Sequence, residues 1–512
     1  MLRLKRLLEA FMLLKKSLFA FYKLTFDLLK KNDYFYLILS LTVLSFAFLA
    51  KLGSIPIRIW DEARLANSAL NMHLHGLSLI VRYDDLPDMW STKPPMMIWL
   101  QAISMKLFGV SEWAVRFPAA MSSICTGLLI WHICKKELKS GLTAFLSVVV
   151  FSTTYAYIYI HAGRTGDYDA LLVFCILSYS YSIYRFCETG SSKSLYTCGA
   201  FLIIACLTKG VAGLFFAPGL LIYLIYRKKL KQVLLSPAFY VDIAAFVLFV
   251  FGYYFFREKL NPGYLKAVWN NELGGRYLSS LEQHNHPFLY YISNMVEWRN
   301  PFWSLFVVPS FLIGFVLKNE QVRKLTMINA ILVVPYLLII STGKTKLEWY
   351  ELPVYPFFAI QIGLAVFVCW KTLADTVFVH LNAFTRIAST LVLFISLSIT
   401  PFLKIYNYIY HFQEQPWDVD SPKQGYFLQN AISSGTDLNG FVFCYQEYNA
   451  QIQFYTRKLQ AAGTNIILQW DLQNIKPGQH VVVSQDNLKG ECVARGFKKV
   501  SEQFGCTEYI AN

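Results

Sequence analysis

Apolar runs of about twenty residues recur from Tyr34 to about Leu403 with few charges inside them, and this recurrence leaves little choice of fold. A helix of that length crosses about 30 Å of hydrocarbon, and in lipid only helices and closed barrels satisfy their own backbone groups. Of the 512 residues, 55% are hydrophobic and 15% charged, well below the roughly 25% charged residues of soluble domains. The expected fold class is therefore a polytopic α-helical membrane protein with about eleven crossings. They lie near 34–52, 112–133, 141–160, 169–186, 195–208, 210–226, 237–256, 301–317, 325–342, 351–370 and 386–404.

The formal net charge of +15 forms no nucleic-acid stripe, because Lys and Arg sit in short loops between apolar runs. Residues 1–33 alternate Arg3, Lys5, Arg6, Lys15, Lys16, Lys23, Lys30 and Lys31 with Leu and Phe, the pattern of a helix lying on an anionic leaflet. The first apolar run has no small-residue cleavage site after Leu49, so it reads as a retained helix with a cytoplasmic N-terminus. The inside loops then hold Lys135, Lys136 and Lys139, then Arg227, Lys228, Lys229 and Lys231, then Lys318, Arg323 and Lys324, in keeping with the positive-inside rule. The same count puts 53–111, 161–168, 257–300, 343–350 and the C-terminal tail outside together.

Three regions result: a surface helix over 1–33, a membrane domain over 34–410 and an extracytoplasmic α/β domain over 411–512. In the tail, Phe441 to Tyr445 and His480 to Ser484 read as short buried strands around a helix near Asn449 to Leu459. No internal repeat supports a transporter built from inverted halves. Of the ten cysteines, Cys125, Cys134, Cys175, Cys187 and Cys206 lie in or beside apolar runs without metal-ligand spacing and read as packing residues. Cys444, Cys492 and Cys506 lie in the tail, where an oxidising compartment pairs two of them or none.

The chemistry-bearing residues fall on the expected outer side. Asp61 and Glu62 sit just beyond the first helix, where Asp61 either caps the next helix or serves as a partly desolvated general base. Trp90, Ser91, Thr92, Lys93, Pro94 and Pro95 lead into another helix, which makes Lys93 either an anion-binding cation at a helix start or a snorkelling interfacial lysine. Arg164, Asp167 and Asp169 place a cation and two carboxylates at a membrane boundary, where they must pair or face a cavity. Lys209 with Gly210 interrupts two apolar runs, as a phosphate contact or as a simple helix break. His284 and His286 are two apart with no third ligand nearby, so no metal is expected, and a divalent ion stays the lesser alternative. Lys344, Lys346, Trp349 and Tyr350 form a basic and aromatic lip before the 351–370 helix.

Taken in order, Asp61-Glu62-Ala63-Arg64, Lys93-Pro94-Pro95, Phe108-Gly109 and Glu112-Trp113-Ala114-Val115-Arg116-Phe117-Pro118 resemble the signature of the dolichyl-phosphate-mannose protein mannosyltransferase superfamily. Its bacterial branch includes the lipid A aminoarabinose transferases. Arg164 to Asp169, His284 to Ile292 and Lys344 to Pro356 resemble the same family. The resemblance implies a GT-C fold and a polyprenyl-phosphate sugar donor, displaced with inversion. It makes Asp61 the leading candidate for general base and Glu62 its runner-up, with Asp169 and Asp167 further catalytic candidates. It places Lys93, Trp90, Arg64, Lys209, His284, His286, Tyr291, Lys344, Lys346 and Tyr350 at the donor phosphate and lipid. Two positions depart from the family: Thr92 where aminoarabinose transferases carry a glutamate, and Glu348 where a proline is usual.

The expected activity is transfer of a sugar from undecaprenyl phosphate to a lipid A-like or glycan acceptor on the periplasmic face of a bacterial inner membrane. A protein O-glycosyltransferase using the same donor is the alternative, and a lipid or solute transporter or a membrane scaffold ranks lower. The expected partners are the lipid-linked donor, the acceptor and membrane lipids, without nucleic acid or a required cofactor.

Overall fold

A computed structural model describes residues 33–277, 284–414 and 421–512. The surface helix expected over 1–33 thus lies outside the described residues, apart from Asp33. The longer helices of the membrane part are α1 (Asp33–Leu49), α2 (Asp61–His75), α3 (Met96–Phe108), α4 (Glu112–Leu138), α5 (Gly141–Ser152), α6 (Asp169–Thr189), α7 (Ser192–Lys209), α8 (Ala217–Tyr226), α9 (Pro237–Leu260), α10 (Pro301–Val316), α11 (Glu320–Thr342), α12 (Tyr355–Thr376) and α13 (Ala383–Tyr410).

Among the described residues, seven helices are long and apolar enough to cross a membrane, fewer than the eleven crossings expected. Each expected run has a helix, but α1, α5, α8 and α10 are shorter than a full crossing. The end of α5 shows why. Ser152, Thr153 and Thr154 turn their hydroxyls back onto the carbonyls of Val149 and Val150 at 2.6–3.2 Å, a local competitor to the helical ladder, and the helix stops at this hydroxyl-rich stretch. Helix α6 lies at the centre, with 83% of its apolar window buried, whereas the windows of α9 and α13 are 11% buried and face outward.

At the far end of α4 from Glu112, roughly 40 Å away by helical rise, ion pairs tie the basic loop residues to the helices. Glu137 binds Arg185 at 2.9 Å, and Glu188 binds Arg227 at 2.7 Å and Lys324 at 3.0 Å. The near end carries α2, the short hairpin of β1 (Arg82–Tyr83) and β2 (Leu86–Pro87), and α3, which packs on α2 and α4.

The tail contains α14 (Lys423–Ser434), α15 (Ala450–Ala461) and α16 (Asp486–Ala494) around a five-stranded sheet of β3 (Val442–Cys444), β4 (Ile467–Gln469), β5 (His480–Val483), β6 (Lys498–Gln503) and β7 (Cys506–Ile510). The strand order is β4-β3-β5-β7-β6, with β3 parallel to both neighbours and β7 antiparallel to both of its own. Strands β3 and β5 are continuous apolar runs, as strands covered on both faces require. All ten cysteines are free thiols. Cys444, Cys492 and Cys506 are buried apolar residues, so the disulfide alternative for the tail is not realised.

The tail packs onto the near end through α15 and α2. Tyr455 donates to Glu112 at 2.8 Å and accepts from the Ile57 amide at 3.0 Å, while Asn67 donates to the Ala450 carbonyl at 2.8 Å. Tail and first loop therefore share one end of the bundle.

Candidate active site

Successive residues on a helix point about 100° apart, and α2 begins at Asp61, so its first two carboxylates diverge. The Asp61 side chain is 46% exposed and Glu62 is 2% exposed. The preceding Trp60, at φ +69°, stacks flat on Tyr448 of the tail at 4.7 Å and holds this start in place. Glu62 accepts from Arg116 Nε at 2.7 Å and Nη2 at 2.9 Å, from the Arg58 amide at 2.7 Å and from the Gly166 amide at 2.8 Å. The rest of the Arg116 guanidinium donates to the carbonyls of Leu52, Ile55 and Pro56. Burial alone would raise the Glu62 carboxyl, but the Arg116 charge and these hydrogen bonds hold it below the ordinary range. With every oxygen engaged by Arg116 and two backbone amides, it ties four segments together, and it is not available as the runner-up base.

The loop between Tyr159 and Asp169 decides between pairing and facing a cavity for Arg164. Arg164 does not pair with the aspartates. It donates to the carbonyls of Ala47 at 2.8 Å and Ala50 at 2.7 Å, and burial pulls it down to about 10. The group facing Asp167 is His161, whose Nδ1 lies 3.5 Å from Asp167 Oδ1 and 3.9 Å from Asp61 Oδ2. His161 stands at φ +59° and is stacked on Trp349 with ring centroids 3.6 Å apart. Burial pushes Asp167 up to about 6, reinforced by the charges of Asp61 and Glu62 against the pull of His161. Gly166 is required here, because a Cβ would meet Val115 at 2.6 Å and Gln101 at 2.8 Å.

The tripeptide Asp167-Tyr168-Asp169 links this acidic cluster to the cations. Asp167 faces His161, the Tyr168 ring lies 5.5 Å from Lys93 Nζ, and Asp169 binds Lys209 Nζ at 2.6 Å. Lys209 also lies 5.4 Å from the Tyr350 ring, so Trp349 and Tyr350 bridge the same two groups from the opposite segment. Lys93 is 3.6 Å from Glu272, which also accepts from Thr92 Oγ1 at 3.0 Å. The carboxylate that Thr92 lacks is thus supplied by Glu272, 180 residues away.

The 343–350 lip meets the long loop directly. The Lys346 amide donates to the His284 carbonyl at 2.9 Å, and Asn285 bridges Thr345. Lys346 is buried with its Nζ on the Gly343 carbonyl, and burial beside Lys344 lowers it, while Lys344 is exposed. His286 stacks on Tyr290 at 4.1 Å, and Tyr291 is fully buried. Arg64, expected at the donor phosphate, is clamped bidentately by Asp88 at 2.7 and 2.8 Å. Asp88 also accepts from the amides of Trp90 and Ser91, so Arg64 positions the Trp90–Lys93 segment from behind, leaving the Trp90 side chain half exposed.

Sequence reasoning missed His161 and Glu272, and it placed Trp349 in the lip without its stacking on His161. The signal for His161 was present, since it opens a loop otherwise singled out for Arg164, Asp167 and Asp169. Nothing local marked Glu272. Beside the Glu62–Arg116 cluster lies a small open cleft bordered by Lys51, Arg58, Arg116, Arg164, Tyr159 and Tyr408.

A family described as dolichyl-phosphate-mannose-protein mannosyltransferase matches residues 92–254. An uncharacterised protein of Aquifex aeolicus is 27% identical over 311 residues, 59% of this chain and 58% of its own. The undecaprenyl phosphate-alpha-4-amino-4-deoxy-L-arabinose arabinosyl transferase 2 of Proteus mirabilis is 24% identical over 298 residues, 57% of this chain and 52% of that one. The matches with these curated relatives thus span only a little over half of their length. The crystal structure of ArnT from Cupriavidus metallidurans bound to undecaprenyl phosphate has a TM-score of 0.66 at 15% identity, covering 93% of this chain and 97% of that one. The fold is that of multi-pass GT-C membrane proteins, and the chain resembles glycosyltransferases of the aminoarabinose transferase type.

Proposed function

We propose that this protein is an inverting glycosyltransferase that moves a sugar from a polyprenyl phosphate, undecaprenyl phosphate in a bacterium, to a lipid A-like or glycan acceptor. The observation that carries the reading is the junction built by Asp167-Tyr168-Asp169, which sets a cluster of acids beside cations suited to a phosphate. The undecaprenyl phosphate-dependent relatives and the structure with that lipid bound supply the donor class. On this reading Asp61, the accessible carboxylate of the pair, takes the proton from the acceptor oxygen as it attacks the anomeric carbon. Lys93, Lys209, Lys344, Lys346 and Tyr350 hold the departing phosphate, where preplaced positive charge is worth most as the bond breaks. His284, His286 and Tyr291 belong to the wall beside the lip, and Asp169 keeps Lys209 in place.

The positive loops at the far end support a cytoplasmic position for that end, and with it a site and tail on the periplasmic face of the inner membrane. The test is transfer by the purified protein in liposomes from undecaprenyl-phosphate sugars, together with retention of undecaprenyl phosphate by native mass spectrometry. Lys93→Ala is expected to weaken lipid retention, and Asp61→Asn to abolish transfer with retention intact. Full transfer by Asp61→Asn would refute the assignment of the base.

A further inference from the structure

We infer that Glu348 is a specificity-determining residue, which accepts hydrogen bonds from the sugar of the donor and selects a neutral or amino sugar over a uronic acid. The inference rests on the proposed function and names the substrate class of that same site.

The carboxylates around the site are held by hydrogen bonds, with one exception. Glu62 has four donors, Asp169 has Lys209 at 2.6 Å, and Glu351 has Arg299 at 3.3 Å and the Tyr355 hydroxyl. Glu348 is only 19% exposed, yet among the described residues no donor hydrogen-bonds its carboxylate. Arg299 Nη1 comes no closer than 3.9 Å, beyond hydrogen-bond reach, so it balances the charge and leaves the acceptor positions free. A shielded carboxylate with a fixed counter-charge and unused lone pairs is poised to receive donors from a ligand.

Its place says which ligand. Glu348 stands two residues from Lys346 and from Tyr350, both assigned to the phosphate, and next to Trp349, which covers the ring of His161. His161 Nδ1 is 3.9 Å from Asp61, the assigned base. In a one-step displacement the sugar lies between the attacking oxygen and the departing phosphate, so it lies along this stretch of the lip. The charge of Glu348 reaches the hydroxyls of Tyr155, Tyr159 and Tyr290, rings whose faces suit the C–H surface of a sugar. A carboxylate only accepts hydrogen bonds, so it favours a ring bearing hydroxyl or ammonium groups. A uronic acid would set its own carboxylate against Glu348, with Asp61, Asp167 and Glu351 nearby, while Arg299 is committed to Glu351 and Lys404 to the Trp298 carbonyl at 3.1 Å.

The test is native mass spectrometry of the full chain in detergent with three probes: undecaprenyl phosphate, undecaprenyl-phosphate glucose and undecaprenyl-phosphate glucuronate. The parent is expected to retain the first two and to prefer the glucose conjugate over the glucuronate conjugate at least about 10-fold. Glu348→Gln is expected to hold bare undecaprenyl phosphate as the parent does and to lose that preference. Should Glu348→Gln fail to hold the bare lipid, Glu348→Pro decides in its place, since Glu348 opens a 3₁₀ turn where proline fits. A merely structural role would weaken all three lipids together and leave the preference between the sugars intact. Lack of preference in the parent, preference kept in the deciding variant, or loss of the bare lipid by both variants overturns the role of Glu348 and leaves the donor class standing. A parent that retains none of the three lipids refutes the donor class itself, and the role of Glu348 with it.

Discussion

Glu62 and Asp61 are neighbours in the chain and end in opposite electrostatic regimes. Around Glu62 every demand is met: two contacts from Arg116, two backbone amides, and the remaining guanidinium hydrogens placed on three carbonyls. Around Asp61 the side chain is 46% exposed, and the demand left over falls on its neighbour Asp167. The histidine stands too far for strong hydrogen bonds, and the second carboxylate is left with an oxygen that no donor reaches. Saturated charge ties segments together, whereas unsaturated charge held in fixed positions is stored for a ligand or a reacting group. The two clusters lie one residue apart, so the difference comes from which way each side chain faces and not from composition.

Arg116→Ala should produce the largest effect. It leaves Glu62 buried without its counter-charge, a loss of about 3–5 kcal/mol, and the protein is expected to lose its cooperative melt in detergent. A variant that melts like the parent would erase the distinction between the clusters. Asp61→Asn tests the other side. Transfer is expected to fall about 100-fold or more, while the melting temperature holds, because that carboxylate is not part of the saturated cluster.

Asp167→Asn sharpens the contrast by separating stability from activity. The folded-state carboxyl is raised from 3.8 to about 6, so its ionisation is resisted by the fold. That cost is absent below about pH 4, grows as pH rises toward 6 and is fully present above it. At pH 7 the variant is expected to melt higher than the parent by about 1–2 kcal/mol of stability, with the advantage vanishing near pH 4, while transfer falls. A lower melting temperature at pH 7 would show that Asp167 belongs with Glu62. Arg457→Ala marks the small end of the scale. Its contacts with Asp84 and Asp85 join tail to hairpin at 2.7 and 3.3 Å, but those acids are 64% and 70% exposed. A change below about 1 kcal/mol is expected, measured as the shift in melting temperature at low and high salt.

Much of this was legible without coordinates. Apolar run length specified the membrane helices because a lipid interior forces each segment to satisfy its own backbone, a condition that acts within one segment. Short hydroxyl-rich stops such as Ser152-Thr153-Thr154 were harder to read, and α5 ends there, earlier than the apolar run suggests. In the tail, Val442–Cys444 and His480–Val483 announced themselves as strands because continuous apolar runs suit a sheet covered on both faces. Spacing also marked Asp61, Lys93, Asp167 and Lys209 as residues whose charge needed explaining.

What only the tertiary structure decided is which charges meet. Arg164 and Asp167 are three apart and do not pair, because Arg164 points to the end of α1. Thr92 and Glu272 are 180 residues apart and do. Local rules of spacing and capping reach a few residues along the chain, whereas the choice of partner for a buried charge is made by the packing of whole helices against one another. The sequence by itself therefore determined the solvent this protein lives in and the segments that carry its chemistry. The folded bundle decided that Asp61 faces outward to His161, while Glu62 turns inward to Arg116.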